Sequence, residues 1–158
     1  MVHWNTRNKC EMITKPEKKR IFWDTNVLVD LLAERDPFYV DAALIASMCD
    51  RGEIEISVSS LSFSNVAYVM RRLERDEILR KKLSMFASLV KIIHTNDIIL
   101  NRALSGGFAD LEDAIQYYSA LEAGASILLT RNPADFKAAK ISVLSPSAFL
   151  ASCITQSE

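Results

Sequence analysis
The feature that most restricts the fold of this chain is a regular alternation of short apolar runs with longer stretches of helical spacing. "IFWDT" (21–25), "EIEISVSS" (53–60), "KIIHT" (91–95), "ASILLTRN" (125–132) and "ISVLSP" (141–146) have the length and branching of strands. Between them, "VLVDLLAER" places Val27, Leu28, Leu31 and Leu32 on one face of a helix. "DPFYVDAALIASMCDRG" reads as a second helix, with Asp36 as N-cap, Pro37 at the first helical position and Gly52 past its end. "LSFSNVAYVMRRL" carries Phe63, Val66, Ala67, Met70 and Leu73 at helical spacing. "RDEILRKKLSMFASLV", "NDIILNRALSG" and "DLEDAIQYYSALEAG" continue the pattern, the last closed by Gly124. A brief turn at "ADFKAA" and a helix from Ser147 finish the chain.

Strands separated by helices imply a parallel sheet covered on both faces. The expected architecture is therefore α/β, three layers (α/β/α), with a mostly parallel sheet of about five strands. The chain has 158 residues, enough for one domain with a sizeable core. We place that domain at 21–152, after a polar, aperiodic tail (1–20) with the composition of a disordered segment, and before a short C-terminal tail (153–158). Met12 is an alternative start within the tail, and Lys15, Lys18, Lys19 and Arg20 form a small basic run there.

A formal net charge of -1 excludes a basic field over the whole molecule, although it leaves room for a local basic face. No apolar run approaches a membrane span, and the N-terminus has no continuous apolar core of a signal peptide. Cys10, Cys49 and Cys153 are odd in number and widely spaced, which fits neither a zinc pattern nor a disulfide framework. Reduced thiols in a cytoplasmic protein are the expectation.

In open parallel sheets, ligands bind beyond the carboxyl ends of the strands. Asp24 ends the first apolar run, and Asn132 follows "SILLT", so both project from that edge. As a bland alternative, Asp24 caps the next helix. Asp110, Glu112 and Asp113 open one helix, where acids suit the dipole and Asp110 with Asp113 resembles a capping box. Three carboxylates in four residues exceed what a cap needs. Asp135 follows Asn132 after a turn at Pro133, and Asn65 lies beside the apolar stripe of its helix. Acids gathered at one edge repel one another unless a hard divalent cation neutralises them, and Mg²⁺ and Mn²⁺ take carboxylate oxygens and bridge to phosphate. Such a site suits attack of metal-activated water on a phosphodiester.

The segments "IFWDTNVLVDLL", "VSSLSFSNVAYVMRR", "DLEDAIQYYSALEAGASILLTRNPADF" and "ISVLSPSAFL" resemble, in order and spacing, a PIN domain. This nuclease family includes the VapC-like toxins of toxin–antitoxin pairs. The resemblance runs from about residue 21 to about residue 150. It implies an Mg²⁺- or Mn²⁺-dependent endoribonuclease, an antitoxin partner and a homodimer. It implies that Asp24 and Asp113 are acidic metal ligands and that Asn132 stands where the family has aspartate, asparagine or a hydroxyl residue. Asp110 and Asp135 are neighbours able to supplement them.

The chain departs from the family at Asn65, which occupies the place of a usual glutamate. An asparagine offers a neutral oxygen and no charge. Asp110 or Glu112 then becomes the candidate to restore that charge. The alternative is a degenerate PIN domain that binds RNA or a protein without cutting. A phosphatase with Asp24 as nucleophile fits less well, because the second acid such chemistry wants two residues on is Asn26 here. For substrate, Arg131 and Lys137 are the nearest cations to the expected site. The runs Arg71, Arg72, Arg75 and Arg80, Lys81, Lys82 read first as solvated faces, with a phosphate track as the minority reading. His3 and His94 have no partner motif, His94 sits at a strand end without a chemical role, and Tyr117 with Tyr118 reads as helix packing.

Overall fold
The computed structural model describes residues 17–155. The expectations for the first part of the tail, including Met1, His3, Cys10, Met12 and Lys15, lie outside the described residues. Five parallel strands, β1 (Lys19–Trp23), β2 (Ile54–Ser59), β3 (Lys91–Ile93), β4 (Ile127–Leu129) and β5 (Ser142–Leu144), form one sheet in the order β3-β2-β1-β4-β5. The helices are α1 (Thr25–Leu32), α2 (Tyr39–Asp50), α3 (Ser60–Met70), α4 (Asp76–Leu89), α5 (Asp97–Ser105), α6 (Leu111–Glu122) and α7 (Pro146–Thr155). A short 3-10 turn covers Pro133–Phe136.

The expected three-layer α/β/α arrangement is present, and strand parity explains it. Successive side chains of a strand point to opposite faces. Ile21 and Trp23 enter a core with residues of α1, α2, α3, α4 and α7, whereas Phe22 and Leu128 enter the other core with α5 and α6. Ile21, Phe22 and Trp23 of β1 are fully buried because the strand is central and covered on both sides. Burial of each stabilises the fold by roughly 1.5–3 kcal/mol.

This parity decides where Asp24 points. Trp23 is the register partner of Leu129, and the Asp24 amide donates to the Leu129 carbonyl at 2.9 Å. The next pair is thus Asp24 beside Thr130, both on the face of Phe22 and Leu128, toward α6. The chain runs outward from β1 to β2 and β3, then returns to the other side of β1 for β4. The strand order therefore reverses between β1 and β4, where open sheets form a crevice.

Several element boundaries differ from the sequence reading. β1 takes in Lys19 and Arg20 from the basic run and stops before Asp24, which caps α1 instead. α1 is buried on more than one face, Val29 and Asp30 included, because α2 and α3 both pack on it. Asp36 and Pro37 precede α2 and do not open it. The amides of Phe38 and Tyr39 both donate to the Arg35 carbonyl at 2.9 Å, so the turn satisfies groups that an Asp36 cap was expected to satisfy. α3 ends at Met70, and the following turn leaves Leu73 exposed. β4 is only Ile127–Leu129, so Asn132 stands beyond its end in the loop. α7 begins at Pro146 and continues through Cys153 to Thr155. Gly52 and Gly124 close α2 and α6 with φ of 75° and 66°, the left-handed region that suits glycine. Tyr117 is buried against Phe108, as packing requires, and its hydroxyl accepts from the Lys140 amide at 3.2 Å.

Candidate metal centre
The Asp24 carboxylate is held from three directions. Its Oδ1 accepts from the Thr25 amide at 2.7 Å, and its Oδ2 accepts from the Thr130 hydroxyl at 2.8 Å and the Asn26 amide at 3.0 Å. Asn26 in turn takes the Arg131 amide on its Oδ1 at 3.1 Å. The Asn132 amide donates to Thr130 Oγ1 at 3.1 Å. These bonds tie the end of β1 to the loop after β4. Asp24 is only 5% exposed, and burial pushes its carboxyl up to about 7, against the opposing hydrogen bond from Thr130 and with help from the charge of Glu112.

Helix α6 brings the other acids. Asp110 is its N-cap, and its Oδ1 accepts from the amides of Glu112 and Asp113 at 2.8 and 3.2 Å. Asp113 is pushed up to about 6, first by burial and then by Asp110, Glu112 and Asp135. Asp110, Glu112 and Asp113 each offer a carboxylate oxygen within 4.8 Å of the others.

A pocket of about 360 Å³ gathers most of these groups. Asp24, Asn65, Glu112, Asp113, Asn132 and Asp135 all line it, with Arg35 and Arg131 as its cations. Two expected members stand apart from the lining. Asp110 is exposed and committed to its cap, and Lys137, directly after the 3-10 turn, is exposed. Arg131 is anchored from behind. Its Nε lies 3.0 Å from Oδ2 of Asp30, a carboxylate 1% exposed, and its guanidinium sits 4.8 Å from the centre of the Phe38 ring. Burial raises the Asp30 carboxyl, while Arg131 and Arg35 oppose the rise.

Sequence reasoning missed Thr130, Asn26, Arg35 and Gln116. Gln116 was legible in principle, because it is a polar side chain on the apolar stripe of α6, one turn after Glu112. The second acid of a phosphatase is absent, as Asn26 indicated, and Asn26 instead donates to Asp24.

The residues present fit a hard divalent cation. The ligand set is all oxygen, and burial together with neighbouring carboxylates raises the proton affinity of Asp24 and Asp113, a strain that a cation relieves. Replacing Asp110 with alanine separates cap from ligand. The expected result is a loss of about 1 kcal/mol in stability by denaturant melting, since the cap is lost. Mn²⁺ affinity, measured by calorimetry, should fall less than in Asp113→Ala.

A sequence profile of the PIN domain matches residues 20–134. The chain is 24% identical over 136 residues to "Ribonuclease VapC1" of Aquifex aeolicus (strain VF5), covering 83% of this chain and 93% of that protein. A toxin–antitoxin complex from Klebsiella pneumoniae has a similar fold, with a TM-score of 0.60 and 23% identity over 80% of this chain and 97% of the matched one. VapBC2 from Rickettsia felis, bound to a DNA fragment from its promoter, gives 0.59 and 20% over 80% and 98%.

Proposed function
The chain belongs to the PIN-domain family, and from that premise we propose that it is a metal-dependent endoribonuclease, the toxin of a toxin–antitoxin pair, acting in the cytoplasm. The observation that carries the proposal is the meeting of Asp24, Glu112 and Asp113 in one pocket at the crevice between β1 and β4. The relative named as a ribonuclease and the toxin–antitoxin complexes of similar fold support it. An antitoxin protein as partner and a homodimer belong to the same reading.

Asp24 and Asp113 would hold Mg²⁺ or Mn²⁺, with Asn132 or Asp135 as further oxygen donors. A divalent ion supplies Lewis acidity that lowers the pKa of water and offsets charge on the phosphate. The protein's own part is to fix the acids. Thr130, Asn26 and the Thr25 amide set the Asp24 carboxylate before any ligand arrives. Arg131, held by Asp30 and Phe38, and Arg35 give the pocket two cations for RNA phosphates. No helix among the described residues is long and apolar enough to cross a membrane.

The second reading, a domain that binds RNA or a protein without cutting, rests on Asn65. The test is cleavage of RNA in Mg²⁺ and in Mn²⁺, with EDTA as control. Cutting that requires the metal is expected. An absence of cutting in either metal, with Mn²⁺ bound only weakly by calorimetry, overturns the nuclease in favour of the binding module.

A further inference from the structure
We propose that Glu112 is a metal-binding carboxylate of this centre and that Asn65 and Gln116 are the residues that position it. The inference rests on the metal-dependent reading above and concerns which side chains complete its charge.

Oε1 of Glu112 lies 2.8 Å from Gln116 Nε2, 3.2 Å from Asn65 Nδ2 and 3.4 Å from Thr25 Oγ1. One carboxylate oxygen is therefore the shared acceptor of three donors from α6, α3 and α1. No such donor meets Oε2 among the described residues, on a side chain that lines the same pocket as Asp24 and Asp113. Locking one oxygen and leaving the other open orients a carboxylate as a ligand while its charge stays available.

Gln116 and Ser62 are buried, Thr25 and Asn65 are half-buried, and Gln116, Thr25 and Ser62 are bonded to one another. Gln116 is fully buried, and its Nε2 also lies 2.9 Å from Thr25 Oγ1 and 3.1 Å from Ser62 Oγ. Thr25 and Ser62 share a hydrogen bond at 2.9 Å. Ser62 and Asn65 are three residues apart on α3, hence on one side of it. Glu112 and Gln116 are four apart on α6, again on one side. A salt bridge would partly cancel the charge of Glu112. Its hydrogen-bond partners are instead neutral amides and a hydroxyl, which fix its position and leave the charge intact.

Asn65 accordingly has a purpose that a glutamate at 65 would lack. Its amide donates to Glu112, whereas a carboxylate there would face Glu112 as a like charge. The acid is carried by α6, and α3 supplies the donor that orients it.

The test is Mn²⁺ binding by calorimetry on the full chain, with folding checked by circular dichroism. Four proteins are compared: the wild type, Glu112→Gln, Asn65→Glu and the double variant. Glu112→Gln should weaken Mn²⁺ binding about tenfold or more, and Asn65→Glu alone should not strengthen it. In the double variant the charge returns from α3 with an amide at 112 to support it, so affinity should recover to within about threefold of wild type. Wild-type binding that Glu112→Gln fully retains overturns the inference and leaves the metal centre standing. A double variant as weak as Glu112→Gln also overturns it. A wild-type chain that binds no Mn²⁺ overturns the metal reading itself, and this inference with it.

Discussion

Asp24→Asn is expected to reduce RNA cleavage by about 10³-fold or more, since it removes a charge worth several kcal/mol to a metal-assisted transition state. The loss should not come from unfolding. An asparagine at 24 keeps an oxygen for the Thr25 amide, but its own amide then faces the Thr130 hydroxyl, which already accepts from the amides of Asn26 and Asn132. That new amide also meets the Asn26 amide as a second donor, and turning Asn26 over would forfeit its contact with the Arg131 amide. Each unmatched donor costs about 1 kcal/mol or more, set against release of a buried charge worth a few kcal/mol. The variant should therefore melt no lower than the wild type at pH 8 in the absence of metal. Cleavage by a folded Asp24→Asn protein within tenfold of wild type would remove Asp24 from the chemistry and leave it as a helix cap. Cleavage is read by gel under Mn²⁺, with thermal melting on the same samples.

Asp24 also shows how far the sequence could be read. In the sequence, cap and site compete as explanations for a carboxylate at a strand end. The structure has both at once, since Asp24 caps α1 and lines the pocket. Local periodicity was enough for the strands, the crossovers and the two helices that carry the acids, because each depends on spacing within one segment. Parity along β1 then placed Asp24 and α6 on one face. What could not be read were the contacts between segments distant in sequence. Thr130 meets Asp24 because β4 lies beside β1, and Asn65 meets Glu112 because α3 and α6 converge at the sheet edge. Nothing in "TRN" or "FSNV" reveals such pairings. Asp36 failed for a related reason: the Arg35 carbonyl, invisible in a pattern of residue types, took the amides that a cap would have served.

The acid cluster should also govern stability, with a sign opposite to that of a salt-bridged carboxylate. Asp24 has its carboxyl at about 7 in the folded chain and near 3.8 when unfolded. Between those values the folded state holds a proton that the unfolded state has released. Stability therefore falls as pH rises through this window, and the penalty is complete above it. Below about pH 4 both states are protonated and the group contributes nothing. The loss attributable to Asp24 should be on the order of a few kcal/mol in metal-free buffer with EDTA. Subtracting the Asp24→Asn curve isolates it, since the variant cannot titrate at 24. A metal reverses the effect where the acids are ionised. Mn²⁺ at about 100 times its dissociation constant stabilises the folded state by about 2.7 kcal/mol. For a chain of this size that raises Tm by roughly 5–10 °C at pH 8. At pH 5, protons on Asp24 and Asp113 compete with the ion, so the rise should be much smaller. Differential scanning calorimetry at the two pH values, with and without Mn²⁺, reads both arms. An equal rise at pH 5 and pH 8 would mean that the ion binds somewhere other than this pair of raised carboxyls.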